Sequence, residues 1–284
     1  MRFVITGAAG MLGQDLAVAA RSAGHEALGL PRAQLDISDR GAVEEALSAA
    51  QPDVVFNCAA WTDVDGAESS PEQALAVNGT GAGNIARAAA AAGAWTIHVS
   101  SDYVFDGAKR SPYVESDPVG PLSSYGRSKL AGEREVAAVA PERHTIVRSS
   151  WLFGAGGPCF PATILRLAEA RDQLKVVDDQ IGCPTFTGHL AQALVDLAAR
   201  RSPPVGILHV AGGGICSWYE FAREIVAASG VSCEVQTCTT AEMPRPAVRP
   251  AYSVLRSERD APLLPDWQRG LAEYMAVTRA VSAT

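Results

Sequence analysis

Arg2-Phe3-Val4-Ile5-Thr6-Gly7-Ala8-Ala9-Gly10-Met11-Leu12-Gly13 opens the chain, and the reading of this stretch decides the fold. Residues 2–6 are mostly apolar and β-branched, a run of the length of a buried strand. Residues 12–23 carry helix formers. The three glycines therefore fall between a strand and a helix, the context a dinucleotide-binding turn requires. In that role Gly7 permits the tight turn, Gly10 lets a pyrophosphate approach the backbone, and Gly13 lets helix and strand pack closely. The helix N-terminus adds free N–H groups and partial positive charge. The spacing is Gly-x-x-Gly-x-x-Gly, not the commoner Gly-x-Gly-x-x-Gly. Such a motif also fits an ordinary glycine-rich turn, but its place at the first strand favours a cofactor.

Strand and helix patterns then alternate. Segments 26–30, 53–58, 95–100 and 145–148 read as strands. Segments 41–50, 71–92 and 128–139 read as helices. This alternation predicts an α/β fold, a Rossmann-type doubly wound parallel sheet. Ligands of such sheets lie beyond the carboxyl ends of the strands. Asn57, Ser101 and Trp151 fall at or just after those ends. Beyond Trp151 the pattern loosens. Helices are expected at 160–170, 188–200 and 217–228, and strands at 174–177 and 206–210. The proline-rich stretch 243–250 excludes regular helix or central strand. Residues 1–150 with 187–212 are thus expected to form an NAD(P)-binding domain. Residues 151–186 with 213–284 would form a smaller C-terminal substrate-binding lobe capping the strand ends.

The chain has 284 residues, 48% of them hydrophobic, enough for a full core. A net charge of −7 argues against a general nucleic-acid binder. No apolar run is long enough to span a bilayer, and no signal peptide precedes the first strand. The six cysteines include no Cys-x-x-Cys pair, so they read as small buried hydrophobes. The expectation is a cytoplasmic protein, monomer or homodimer, without a metal site.

Tyr125 and Lys129 are four residues apart, on one face of a helix. An ammonium beside a phenol favours the phenolate and lowers its pKa, so the pair is expected to meet. Lys129 would also reach the nicotinamide ribose. Ser101, at a strand end, can donate to a substrate carbonyl. Hydride supply, carbonyl polarisation and a proton donor are the parts carbonyl reduction needs. Alone, Tyr-x-x-x-Lys more often marks a solvated helix face. The glycine turn and the strand-end serine tip the reading toward catalysis. NADPH is the expected cofactor, with NADH as an alternative. An NAD-selective site places an acid about 20 residues past the glycines. Here residues 29–32 hold no acid and one arginine, Arg32.

A series of segments carries a resemblance over essentially the whole chain. They are Leu35-Asp36-Ile37, the run 57–65 (Asn-Cys-Ala-Ala-Trp-Thr-Asp-Val-Asp), Ser100-Ser101-Asp102-Tyr103-Val104-Phe105, and Ser124-Tyr125-Gly126-Arg127-Ser128-Lys129. Further on come the runs 148–154, 179–185 and 249–255. The sequence resembles the extended short-chain dehydrogenase/reductase family, and within it the reductases of nucleotide-linked keto sugars. The resemblance implies reduction of the C4 ketone of a dTDP-linked 4-keto-6-deoxyhexose. It implies that Met11, Leu12, Asp36, Ile37, Ala59, Ala60 and Thr62 line the cofactor. Tyr125 would be the proton donor, with Lys129 its partner. Val64, Ser101, Asp102, Trp151 and Gln180 would face the substrate, with Arg249 a phosphate contact. Ser101 stands where members commonly have threonine. Asp15 and His189 stand at two positions where some members bind magnesium through glutamates, so that site is not expected. Asp102-Tyr103 replaces the Asp-Glu of the dehydratases, which favours simple reduction. A reductase of another keto sugar, or a non-catalytic regulatory subunit, shares the same fold.

Overall fold

The computed structural model describes residues 1–282. The first half runs β1 (Arg2–Thr6), α1 (Met11–Ser22), β2 (Glu26–Leu30), α2 (Arg40–Ala50), β3 (Val54–Asn57), α3 (Gly66–Ser69), α4 (Pro71–Leu75), α5 (Ala82–Ala91), β4 (Trp95–Ser101), α6 (Ser124–Val139) and β5 (His144–Ser149). The second runs β6 (Leu152–Phe153), α7 (Phe160–Glu169), β7 (Gln173–Val177), β8 (Ile181–Gly182), β9 (Thr185–Phe186), α8 (Thr187–Ala198), β10 (Gly206–His209), β11 (Cys216–Ser217), α9 (Trp218–Ser229), β12 (Glu234–Cys238) and α10 (Trp267–Ser282).

Six strands form one parallel sheet in the order β2-β1-β3-β4-β5-β10. Alternation along β1 sends its side chains to two cores. Phe3 and Ile5 join Leu12 and Leu16 of α1 and Leu190 and Leu194 of α8 on one face. Val4 joins Val43 and Leu47 of α2 and Ile85 of α5 on the other. Burial on both faces explains why these strands read as continuous apolar runs. The chain reverses direction across the sheet between β1 and β3, and this switch point opens a crevice where a ligand can lie.

A second core gathers Ile164 of α7, Phe221 and Ile225 of α9, and Trp267 and Tyr274 of α10 around Phe153. It is bordered by two small pairs, β7 with β12 and β8 with β11. Helix α9 starts at a capping box, Ser217 with Glu220, and ends at Gly230 in the left-handed region, φ 77°.

Two readings from the sequence shift. Helix α6, which carries Tyr125 and Lys129, begins at Ser124, not Ser128, because the Ser123 hydroxyl accepts from the Gly126 amide at 3.1 Å and caps it. The expected long helix over 71–92 is interrupted by a π-helical turn at Ala76–Gly81. That turn aims Asn78 at the neighbouring loop. Its side chain binds both the amide and the carbonyl of Trp61, and Ser128 on α6. Insertions of this kind recur at functional sites.

Candidate active site

The glycine turn is built by close approach. Gly7 has φ +67°, and a Cβ there would lie 2.7 Å from the Ala59 amide. A Cβ on Gly13 would lie 2.5 Å from the Gly7 carbonyl oxygen. Turn, helix and the loop after β3 therefore sit backbone against backbone, leaving a cleft of about 240 Å³ at the sheet's switch point. Gly7, Gly10, Ala59, Ala60 and Thr62 line it. So do Arg32, Asp36 and Ile37. Eight of the expected cofactor residues thus meet in one cavity. The features fit a dinucleotide: glycines where side chains would clash, a helix N-terminus, and a cation at the mouth. Arg32 is exposed, with no hydrogen bond or ion pair among the described residues. Asp36 is held ionised by the Ser38 hydroxyl and amide, at 2.6 and 2.9 Å, with Arg32 nearby.

Five expected residues do not line this cleft: Tyr125 and Lys129, on α6, and three at the start of α1. Leu12 is buried in the core below the sheet, Gly13 packs on the turn, and Met11 leans toward Gly157. Their contribution runs through the backbone at the start of α1. The sequence reading missed Trp61, Leu35 and Val77, which complete the cleft wall. Trp61 was in view within the run 57–65, but only the fold turns it inward.

Ser101 ends β4, and Tyr125 and Lys129 project from α6 beside it. Both Ser101 and Lys129 are buried. Burial pushes the Tyr125 phenol up to about 12, with the Ser101 hydroxyl working against the shift and Asp102 adding to it. Lys129 does not do what its spacing suggested. Its Nζ donates to the Val99 carbonyl at 2.7 Å, and burial pulls its pKa down to about 8 against the attraction of Glu133. The expected lowering of the Tyr125 pKa by Lys129 is therefore absent. The phenol keeps its proton across the neutral range, which suits a proton donor.

Asp102 is buried and accepts from the Ser101 hydroxyl at 3.0 Å. Its Oδ2 has no partner in hydrogen-bond geometry, although the Ser253 hydroxyl is near enough to favour the charge. Burial dominates and pushes this carboxyl up to about 7. Tyr103 meets Tyr125 edge-on, with ring centres 5.7 Å apart.

A larger cavity, about 730 Å³, lies against the second core. Phe160, Trp218, Gln180, Lys175, Arg245 and Arg249 are among its walls. Gln180 is anchored by a 2.9 Å bond to Thr240. Arg249 is not a solvated surface group. Its guanidinium forks onto Asp65 at 3.0 and 2.9 Å, which joins the loop after β3 to the proline-rich stretch. Trp151 has φ +49°, unusual for a bulky residue, and is held there by stacking on Trp218 at 3.5 Å. The absent side chain of Gly182 makes room for its ring, since a Cβ there would stand 2.4 Å away. Val64 sits half-buried between Asp63 and Asp65.

Neighbours of Ser101, Tyr125 and Lys129 reach into both cavities. On one side the Lys129 charge acts on Cys58 in the cleft wall. On the other, Tyr103 reaches Arg249 in the larger cavity. Cys58 and Cys183 are pushed by burial up to about 12 and about 11, so neither is an activated thiolate.

A family model described as the RmlD substrate binding domain matches residues 1–280. The chain belongs to this family. A dTDP-4-dehydrorhamnose reductase of Mycolicibacterium smegmatis is 46% identical over 290 residues, covering 100% of this chain and 87% of that protein. The crystal structure of a dTDP-4-dehydrorhamnose reductase from Clostridium acetobutylicum aligns with TM-score 0.94 at 40% identity, covering 98% of this chain and 100% of the other. One from Bacillus anthracis, in complex with NADP, aligns with TM-score 0.93 at 34% identity over 97% and 99% of the two chains. Membership in the RmlD family accounts for the whole described fold, glycine turn and second core together. Among the described residues no helix is long and apolar enough to cross a membrane.

Proposed function

We propose that this protein reduces the C4 ketone of dTDP-4-dehydro-L-rhamnose to dTDP-L-rhamnose, with NADPH as reductant. The observation that carries the reading is Ser101, Tyr125 and Lys129 brought together at the end of β4, with Cys58 of the glycine-turn cleft near Lys129 and Arg249 of the larger cationic, aromatic cavity near Tyr103. NADPH, when bound, supplies the hydride. Gly7, Gly10 and the start of α1 would hold its pyrophosphate, and the free Arg32 guanidinium would pair with a 2′-phosphate. The Ser101 hydroxyl polarises the ketone oxygen, and Tyr125 gives that oxygen its proton. Lys129 keeps an ammonium beside the ribose. Residues 1–150 with 187–212 serve the cofactor, and 151–186 with 213–284 the substrate. Val64, Asp102, Trp151 and Gln180 frame the sugar. Arg249, with Arg245 and Lys175, offsets the diphosphate charge.

The relatives support the sugar and the nucleotide, because nothing in the cavity itself reads thymine over uracil. The size and charge of the second cavity support a nucleotide-linked substrate over a free sugar. NADPH oxidation should be compared with the free keto sugar, its UDP form and its dTDP form, and the product identified by NMR. The dTDP form should win in both kcat and KM, since remote binding energy orients the reacting centre. Equal efficiency with the free sugar would sink the proposal.

A further inference from the structure

Two turns along α6 from Tyr125, Glu133 is only 3% exposed. Its Oε1 accepts from the Ser100 hydroxyl at 2.6 Å and from Arg148 Nε at 2.8 Å. Its Oε2 accepts from Arg148 Nη2 at 2.7 Å. Arg148 is 2% exposed and lies over the Phe105 ring, 5.0 Å from its centre. Ser100 and Arg148 are direct neighbours across β4 and β5. One carboxylate thus ties the helix that carries Tyr125 and Lys129 to the strand that ends in Ser101.

Stability gives little reason for such a pair, because apolar residues of similar shape would do as well or better in the core. Its neighbours give a reason. Ser100 adjoins Ser101 in sequence. Lys129 precedes Glu133 by one helical turn on the same face. Among the described residues, Lys129 donates its one hydrogen bond to a neutral carbonyl, that of Val99. The other titratable groups acting on or feeling Lys129 are Cys58 and His98. Burial keeps Cys58 a neutral thiol and His98 a neutral imidazole near pH 7.

We propose that the Glu133–Arg148 pair positions the reaction centre: Glu133 is the counter-ion of Lys129 and, through Ser100, fixes Ser101 against Tyr125. This rests on the reading of the site as a ketone reductase only in its kinetic half. Arg148 grips both oxygens of that carboxylate through Nε and Nη2, which fixes it one helical turn from Lys129.

The test compares wild type with E133Q and with E133Q/R148M, which removes both charges of the Glu133–Arg148 pair together. NADPH binding is titrated by fluorescence from pH 6 to 10 without sugar, and kcat is followed over the same range. Wild-type binding should weaken as Lys129 loses its proton above about pH 8. In both variants this limb should move down by about one pH unit, the effect of losing a close opposite charge. At pH 6 the double variant should bind NADPH nearly as wild type does, while its kcat falls about tenfold or more as Ser101 loses register. A double variant that keeps the wild-type binding limb overturns the counter-ion role. Unchanged kcat at pH 6 overturns the positioning role. If E133Q alone does not fold, the double variant decides. If wild type reduces no keto sugar, the ketone-reductase reading fails, while the binding titration still judges Glu133.

Discussion

At the scale of single residues, burial sets the chemistry more than charge pairing does. Tyr125 is raised to about 12 and therefore holds its proton across the neutral range, as the proposed acid must. Tyr125→Phe should lower kcat by about 10²- to 10⁴-fold while leaving the NADPH dissociation constant within experimental scatter. Steady-state turnover and a fluorescence titration check the two halves. Near-wild-type turnover, with chemistry limiting in both enzymes, would remove Tyr125 as the acid. Asp102 gives a second, thermodynamic prediction. Its carboxyl is raised from 3.8 to about 7. Between those values the folded state holds a proton that the unfolded state has lost, so the residue costs stability as pH rises through that window. Below about pH 4 both states are protonated and the cost vanishes. Asp102→Asn should therefore stabilise the protein at pH 8 relative to pH 4, by at most on the order of 4 kcal/mol. Urea unfolding at the two pH values measures it, and a gap that does not widen with pH would contradict the assignment.

At the scale of elements, the junction of β1 and α1 leaves no tolerance. Gly13 lies on the first turn of α1, and any Cβ there meets the Gly7 carbonyl. Gly13→Ala should push the helix off the turn, costing about 1–3 kcal/mol of stability. It should also weaken NADPH binding about tenfold or more, because the phosphate-facing amides move with the helix. Gly10→Ala, whose Cβ would stand 3.2 Å from the same oxygen, should be milder. Thermal melts and cofactor titrations of both variants would test this order, and equal affinities would refute it. The junction was legible because a turn that needs glycine leaves glycine in the sequence. The start of α6 was less so. Its cap, Ser123, is one of two adjacent serines, and nothing local says which hydroxyl will turn back onto the helix.

At the scale of the whole molecule, the substrate side depends on residues distant in sequence that meet only when both cores form. Trp151 and Trp218 stack at 3.5 Å, the first just after β5 and the second opening α9. Trp218→Ala should raise KM for the nucleotide sugar by about 3- to 10-fold, the worth of one aromatic stack. The NADPH dissociation constant should stay unchanged, because Trp218 lines the larger cavity and not the cleft. A change confined to cofactor binding would place Trp218 in the wrong cavity.

The sequence by itself determined the parallel sheet, the glycine turn between β1 and α1, and the placing of Ser101 at a strand end with Tyr125 and Lys129 on one helix. Strand and helix periodicity, glycine spacing and the i, i+4 rule act over a few residues, and local patterns record them. It did not determine which partner each side chain takes. Lys129 turned to the Val99 carbonyl rather than to Tyr125. Arg249 turned to Asp65, 184 residues away. Glu133 found Arg148 on β5. These choices follow from which polar groups are enclosed together when water is expelled, since a buried group must take whatever donor or acceptor the packing brings within reach. Only the tertiary structure decides that.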